Sequence, residues 1–143
     1  MIALKKYFFV FISILIMVLI FKLSSENAGI SSRRSGLILE LVQKIFSDFL
    51  EESLSHIIRK FAHFTLYFLL GCSLQLSFDD NSQSQRNKFM VFIIIFLYAC
   101  SDELHQAFIP GRSSEFLDVM IDSAGGLTSI AMLTFFRKIF KNI

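Results

Sequence analysis

Four runs of apolar residues, each long enough to cross a lipid bilayer, constrain this chain more than any other feature. A spanning helix needs about 20 predominantly apolar residues, with a lower bound near 17. Lipid also admits only structures that satisfy their backbone hydrogen bonds internally. The runs fall at about 7–23 (YFFVFISILIMVLIFKL), 57–78, 89–109 and 115–136. They predict an all-α fold, a polytopic membrane helical bundle with four transmembrane helices, in a single domain over 1–143. Composition agrees: 54% of residues are hydrophobic and 18% charged, against about 25% charged in soluble domains. A net charge of +2 without a long basic run argues against nucleic acid as a partner.

The first run follows Lys5 and Lys6, a pattern shared with secretory signal peptides. No convincing small-x-small cleavage site lies near 24–29, so an uncleaved first helix is expected. The Ser-rich stretch 24–36 reads as a connector. Residues 37–55 place apolar side chains at helical spacing opposite Glu40, Lys44, Asp48 and Glu52, which predicts an amphipathic helix at the interface or capping the bundle. DDNSQSQRNK, 79–88, is the clearest loop, and Pro110-Gly111 marks a turn. Four spans put both termini on one side, and Lys/Arg near span ends favour cytoplasmic termini. Cys72 and Cys100 sit in apolar runs without CxxC spacing and read as small hydrophobes.

Ionisable residues stand at helical spacing within or at the ends of three spans. Lys60, His63 and Tyr67 follow i, i+3, i+7; Asp102 and Gln106 are i, i+4 with Glu103 alongside; Glu115, Asp118 and Asp122 repeat the first spacing. Alternating span direction brings all three groups to one depth, at the outer mouth. Such residues in lipid are normally turned inward and paired, and Lys60, Arg112 and Arg59 are the available cations. Gly125, Gly126 and Ser129 would let another helix approach closely. His105 falls off the Asp102/Gln106 face, which suits a solvent or interface role rather than a ligand role. The competing reading is structural: ion pairs that only fix helix register, with 101–106 marking an exit into water.

At these residues the sequence resembles the VanZ-like family of small integral membrane proteins. RKFAHFTLY, 59–67, is similar to the family's second-helix signature, and SDELHQAFIPGRSSEFLDVMIDSAGG, 101–126, to its third-helix, turn and fourth-helix signature; SSEN after the first span resembles its Ser-rich connector. The resemblance implies Lys60, His63, Tyr67, Asp102, Glu103, Gln106, Arg112, Asp118 and Asp122 as the characteristic polar set. Leu66 departs from the Glu common there, and Ser129 from a small Gly. The resemblance also implies a bacterial cell-envelope protein of a kind linked to teicoplanin-type glycopeptide resistance, and it supplies no reaction.

Three functions follow as expectations. The first is an outer-face site in which Lys60 and Arg112 bind an anionic component, either a lipid-linked cell-envelope precursor or a lipophilic antibiotic. The second is a membrane enzyme acting on a phosphate or acyl ester, with His63, Asp102, Glu103, Asp118 and Asp122 as catalytic candidates sharing acid–base work or a divalent metal. No strong metal or nucleophile motif such as HExxH or GxSxG is present, so no metal ligands and no cofactor are assigned. The third is a non-catalytic membrane scaffold. Transport needs more room than four spans leave, unless the chain forms an oligomer.

Overall fold

The computed structural model describes residues 2–27, 29, 31, 33, 51–78, 84–112 and 114–140. They form four helices: α1 (Ile2–Ser24), α2 (Glu51–Ser77), α3 (Gln85–Gln106) and α4 (Phe116–Phe140). Each is long and apolar enough to cross a membrane, and the chain is a helical membrane bundle. Large side chains such as Phe8, Phe11, Leu15, Leu19, Leu97, Leu127 and Phe135 are exposed. On a soluble protein such surfaces would drive association; in a bilayer they face lipid.

The buried residues form narrow stripes. On α1 these are Ser13, Ile20 and Ser24, flanked by Ile16 and Met17. On α3 the stripe runs Val91, Ile95, Ala99, then Asp102, Glu103 and Gln106, changing from apolar to polar in the last two turns. On α4 it begins with Val119, Asp122 and Ser123 and continues through Gly125, Gly126 and Ser129. Small residues allow the close approach that drives helix association where water provides no hydrophobic force. α2 packs most broadly against α4 and next against α1, while α3 rests chiefly on α4.

Helix direction alternates, as side-chain bonds at one end of the bundle require. The last turn of α1 meets the last turns of α3 through Ser24 and Asp102. The early turns of α2 and α4 meet through Lys60 and Asp118. Deeper along the bundle, Ser13 and Ser73 hydroxyls share a bond of 2.8 Å, and the Tyr98 hydroxyl donates to the Met17 carbonyl at 2.6 Å.

Helix ends differ from the sequence expectation in five places: α1 begins at Ile2 instead of 7 and α4 runs to Phe140 instead of 136, and three further ends have a local reason. Residues 51–55, expected in the amphipathic segment, are the opening turns of α2; residues 37–50 of that segment lie outside the described residues. α3 starts at Gln85 because the polar residues 85–88 are compatible with a helix and Lys88 N–H reaches Ser84 O at 3.1 Å. It stops at Gln106, short of 109, because Pro110 disfavours helical backbone at Ile109 and the chain tightens into i→i+3 bonds from Phe108 and Ile109. Arg112 N–H then closes a turn onto Ile109 O at 3.1 Å. Gly111, with φ 78°, occupies the third turn position, where a left-handed backbone favours glycine.

Candidate functional site

That turn aims Arg112 back at the bundle. Its Nε donates to Glu26 O at 2.9 Å, Nη2 to Leu23 O at 3.0 Å and Nη1 to Gln106 Oε1 at 2.8 Å. The guanidinium thereby ties the end of α1 to the end of α3. Gln106 passes the connection on, its amide nitrogen donating to Asp102 Oδ2 at 3.1 Å and Glu103 Oε1 at 3.2 Å. Asp102 Oδ2 also accepts from Ser24 Oγ at 2.8 Å. Glu103 Oε2 accepts the Glu115 backbone N–H at 3.0 Å, placing an anion at the start of α4, where exposed N–H groups favour negative charge.

The second group joins α2 to α4. Lys60 Nζ pairs with Asp118 and lies 3.3 Å from Glu115 Oε2. One turn deeper, His63 Nδ1 stands 3.6 Å from Asp122 Oδ2 and 4.0 Å from Asp102 Oδ2. Tyr67, a further turn in, is fully buried beneath them. Asp102 and Asp122 are 3% and 1% exposed, so these carboxylates belong to the interior and do not mark an exit into water.

Above the buried carboxylates opens a narrow cleft. Arg59, Lys60 and His63 of α2 form one wall, Glu103, Gln106 and Arg112 another, and Asp118, Ile121 and Asp122 of α4 the third. Burial, and next the neighbouring Arg59 guanidinium, hold the Arg112 pKa below its ordinary value. Among the described residues no carboxylate lies within ion-pairing distance of Arg59 or Arg112; Arg59 reaches only His56 Nδ1, at 2.6 Å. Two guanidiniums therefore border the cleft without a direct ion pair among the described residues, although Asp102, Glu26 and Glu103 act on Arg112 from farther away.

A family model described as VanZ/LLP1 matches residues 9–137, a span that contains the whole polar layer from Ser24 to Asp122. The chain belongs to the VanZ/LLP1 family. No curated protein and no solved structure shows significant similarity to it.

All nine residues singled out in this VanZ/LLP1 chain fall in one layer at one end of the bundle. Eight of them line the cleft or bond directly into the carboxylate network; Tyr67 lies behind. Ser24 and Arg59 belong to the layer as well, although sequence reading gave Ser24 no site role. Its one signal was position, a hydroxyl ending the first span at the depth of the other polar groups. His105 takes an interface role, stacked on Phe21 with ring centroids 4.5 Å apart and bonded to Ser25 Oγ at 3.0 Å. Leu66 packs against the apolar core, and Ser129 Oγ, bonded back to Gly126 O at 2.6 Å, occupies the space facing Gly71. Cys72 and Cys100 are free and half-buried.

Ser24→Ala removes one of the two bonds to Asp102 Oδ2. Leaving a buried charged acceptor short of a partner costs about 1–3 kcal/mol, so unfolding in detergent should shift by that amount. Ser25→Ala, at an exposed bond, is expected to shift it by less than about 0.5 kcal/mol.

Proposed function

We propose that this chain is a bacterial cell-envelope membrane protein whose cleft binds an anionic headgroup at the outer leaflet. The headgroup is the phosphate of a lipid-linked envelope precursor or a carboxylate of a lipophilic glycopeptide antibiotic. The observation that carries this reading is the Arg59–Arg112 pair, two mutually repelling guanidiniums on the cleft wall without a carboxylate partner among the described residues. An anion between them would relieve that repulsion and accept charge-assisted bonds in fork geometry. Arg112 commits three nitrogens to the protein but retains further N–H groups for a ligand.

The surroundings fit a headgroup with an apolar tail. Phe61, Phe108 and Phe116, each more than two-thirds exposed, sit at the same end of the bundle and offer apolar surface to a chain left in lipid. Cytoplasmic termini, favoured by the Lys/Arg distribution, turn the cleft outward, and a resistance role would follow from sequestering such a headgroup.

The test uses the full chain in nanodiscs with a short-chain polyprenyl phosphate, the matching neutral polyprenol as control, and a glycopeptide in a separate arm. Arg59→Ala, which breaks no interhelical bond, is expected to weaken phosphate binding about 10- to 100-fold, the worth of one charge-assisted bond. Unchanged affinity, or equal affinity for the neutral polyprenol, would sink the reading.

A second reading, a membrane enzyme acting on a phosphate or acyl ester, draws on His63 standing beside Asp122 and Asp102. An imidazole oriented by carboxylates next to an anion site is an arrangement suited to proton transfer. Phosphate or acyl release from the bound lipid by wild type and not by His63→Gln would favour it over simple binding.

A further inference from the structure

We propose that His63, Asp102 and Asp122, backed by Tyr67, hold one divalent cation of the zinc or manganese type inside the bundle. The site goes beyond headgroup binding and does not depend on it.

Unpartnered buried oxygens come first. Both carboxylate oxygens of Asp122, Oδ1 of Asp102 and the Tyr67 hydroxyl are buried without a hydrogen-bond partner among the described residues. Native interiors rarely leave such atoms alone, since each costs about 1–3 kcal/mol, more if charged. They are also concentrated: one donor atom each from His63, Asp102 and Asp122 lies within 4.8 Å of the others. The Tyr67 hydroxyl lies in the field of Asp102 and Asp122.

The distances suit a bridging ion better than direct contact. His63 Nδ1 is 3.6 Å from Asp122 Oδ2 and 4.0 Å from Asp102 Oδ2, beyond the roughly 2.7–3.2 Å of a good hydrogen bond. Ligands about 2.1 Å from a metal stand about 3.0–3.4 Å from each other when adjacent. A contraction of about 0.2–0.6 Å for the His63–Asp122 pair and about 0.6–1.0 Å for the His63–Asp102 pair, with a carboxylate rotation, closes the set.

Charge points the same way. Lys60 is paired with Asp118 and Glu115, and Arg112, whose charge reaches Asp102 only from a distance, makes its direct bonds to carbonyls and Gln106. Two buried aspartates then face a single imidazole, so even a protonated His63 leaves the trio one negative charge in excess. A divalent cation with neutral His63 brings the sum to zero, and burial makes that balance count. One imidazole nitrogen with carboxylate oxygens matches the donor preferences of zinc or manganese and lacks the thiolates of softer sites. Ser24 and Gln106 hold Asp102 Oδ2, as supporting residues orient ligating carboxylates, while Oδ1 stays available. His63 and Asp122 both border the cleft, which gives an ion its way in.

The experiment equilibrates the full chain in nanodiscs with buffered Zn²⁺, Mn²⁺ or Co²⁺ and measures bound metal by mass spectrometry. Ligand-field absorption reports on Co²⁺ and paramagnetic resonance on Mn²⁺. Wild type should retain about one equivalent with a Co²⁺ spectrum indicating nitrogen and oxygen donors. Asp122→Asn and His63→Gln should lose it, Gln106→Leu should weaken it about 10- to 100-fold, and Ser25→Ala, at an exposed bond, should keep it. Absence of any ligand-field bands in wild type overturns the proposal without relying on a variant's folding. Metal retained in an Asp102→Asn, Asp122→Asn double variant overturns it equally.

Discussion

Replacing Arg112 with alanine is expected to destabilise the protein by about 2–4 kcal/mol, as read from denaturant or thermal unfolding in detergent. The figure follows from the acceptors left behind, at about 1–3 kcal/mol for each buried group without a partner, reduced because the residue is only half-buried. Gln106 Oε1 loses its donor, and Leu23 O keeps only a long 3.4 Å bond from Glu26 N–H. Leu23 lies in the last turn of α1, where helical carbonyls have no intrahelical partner. A cation there is favourable to the helix dipole, so Arg112 acts as the C-terminal cap of a helix 89 residues upstream. Arg112→Lys keeps the charge but not the fork and should recover less than half of the loss. A loss under about 0.5 kcal/mol for Arg112→Ala, the range of ordinary surface changes, would refute the capping role. Because this variant perturbs structure, Arg59→Ala is the cleaner probe of headgroup binding.

Gly125→Ala carries the other large effect. A Cβ there would clash with Phe64 O and stand 3.2 Å from both Phe64 C and Phe68 N. Every one of these is backbone of α2, so no rotamer change relieves the clash and the two helices must separate. Overpacking of this kind costs about 1–3 kcal/mol, and larger side chains cost more. Gly126→Ala should cost less, because its neighbours are Ile95 side-chain atoms at 2.7 Å, which can turn aside. Among the described residues Gly29→Ala meets only Asn27 Oδ1, at 3.6 Å, and it is the neutral control. Separation of α2 from α4 also draws His63 away from Asp122, so metal retention should fall along with stability. Equal melting of the Gly125 and Gly29 variants would contradict the close α2–α4 contact.

Some of this was legible in the residues themselves. Apolar length alone announces the helices, because a bilayer leaves a spanning backbone little choice but to bond within itself. The polar layer was legible as a common depth: with spans alternating in direction, Lys60, His63, Asp102, Asp118 and Asp122 reach the same end whatever the packing. The value of small residues at 125 and 126 could be read as well, since only close helix contact rewards their presence in lipid.

Which groups partner which could not be read there. Helical spacing places a side chain on a face, but the rotation of each helix about its axis is set by packing against its neighbours. That rotation decides that Asp102 meets Ser24, 78 residues away, while Asp118 takes Lys60. It decides too that Arg112, which looked free to meet a ligand, spends three nitrogens holding α1 to α3. The four helices, their alternation and the depth of the charges follow from hydrophobic length and chain direction, both of which the residues carry. That Asp122 and Asp102 close on His63 with oxygens to spare depends on burial and pairing, which belong to contacts between helices.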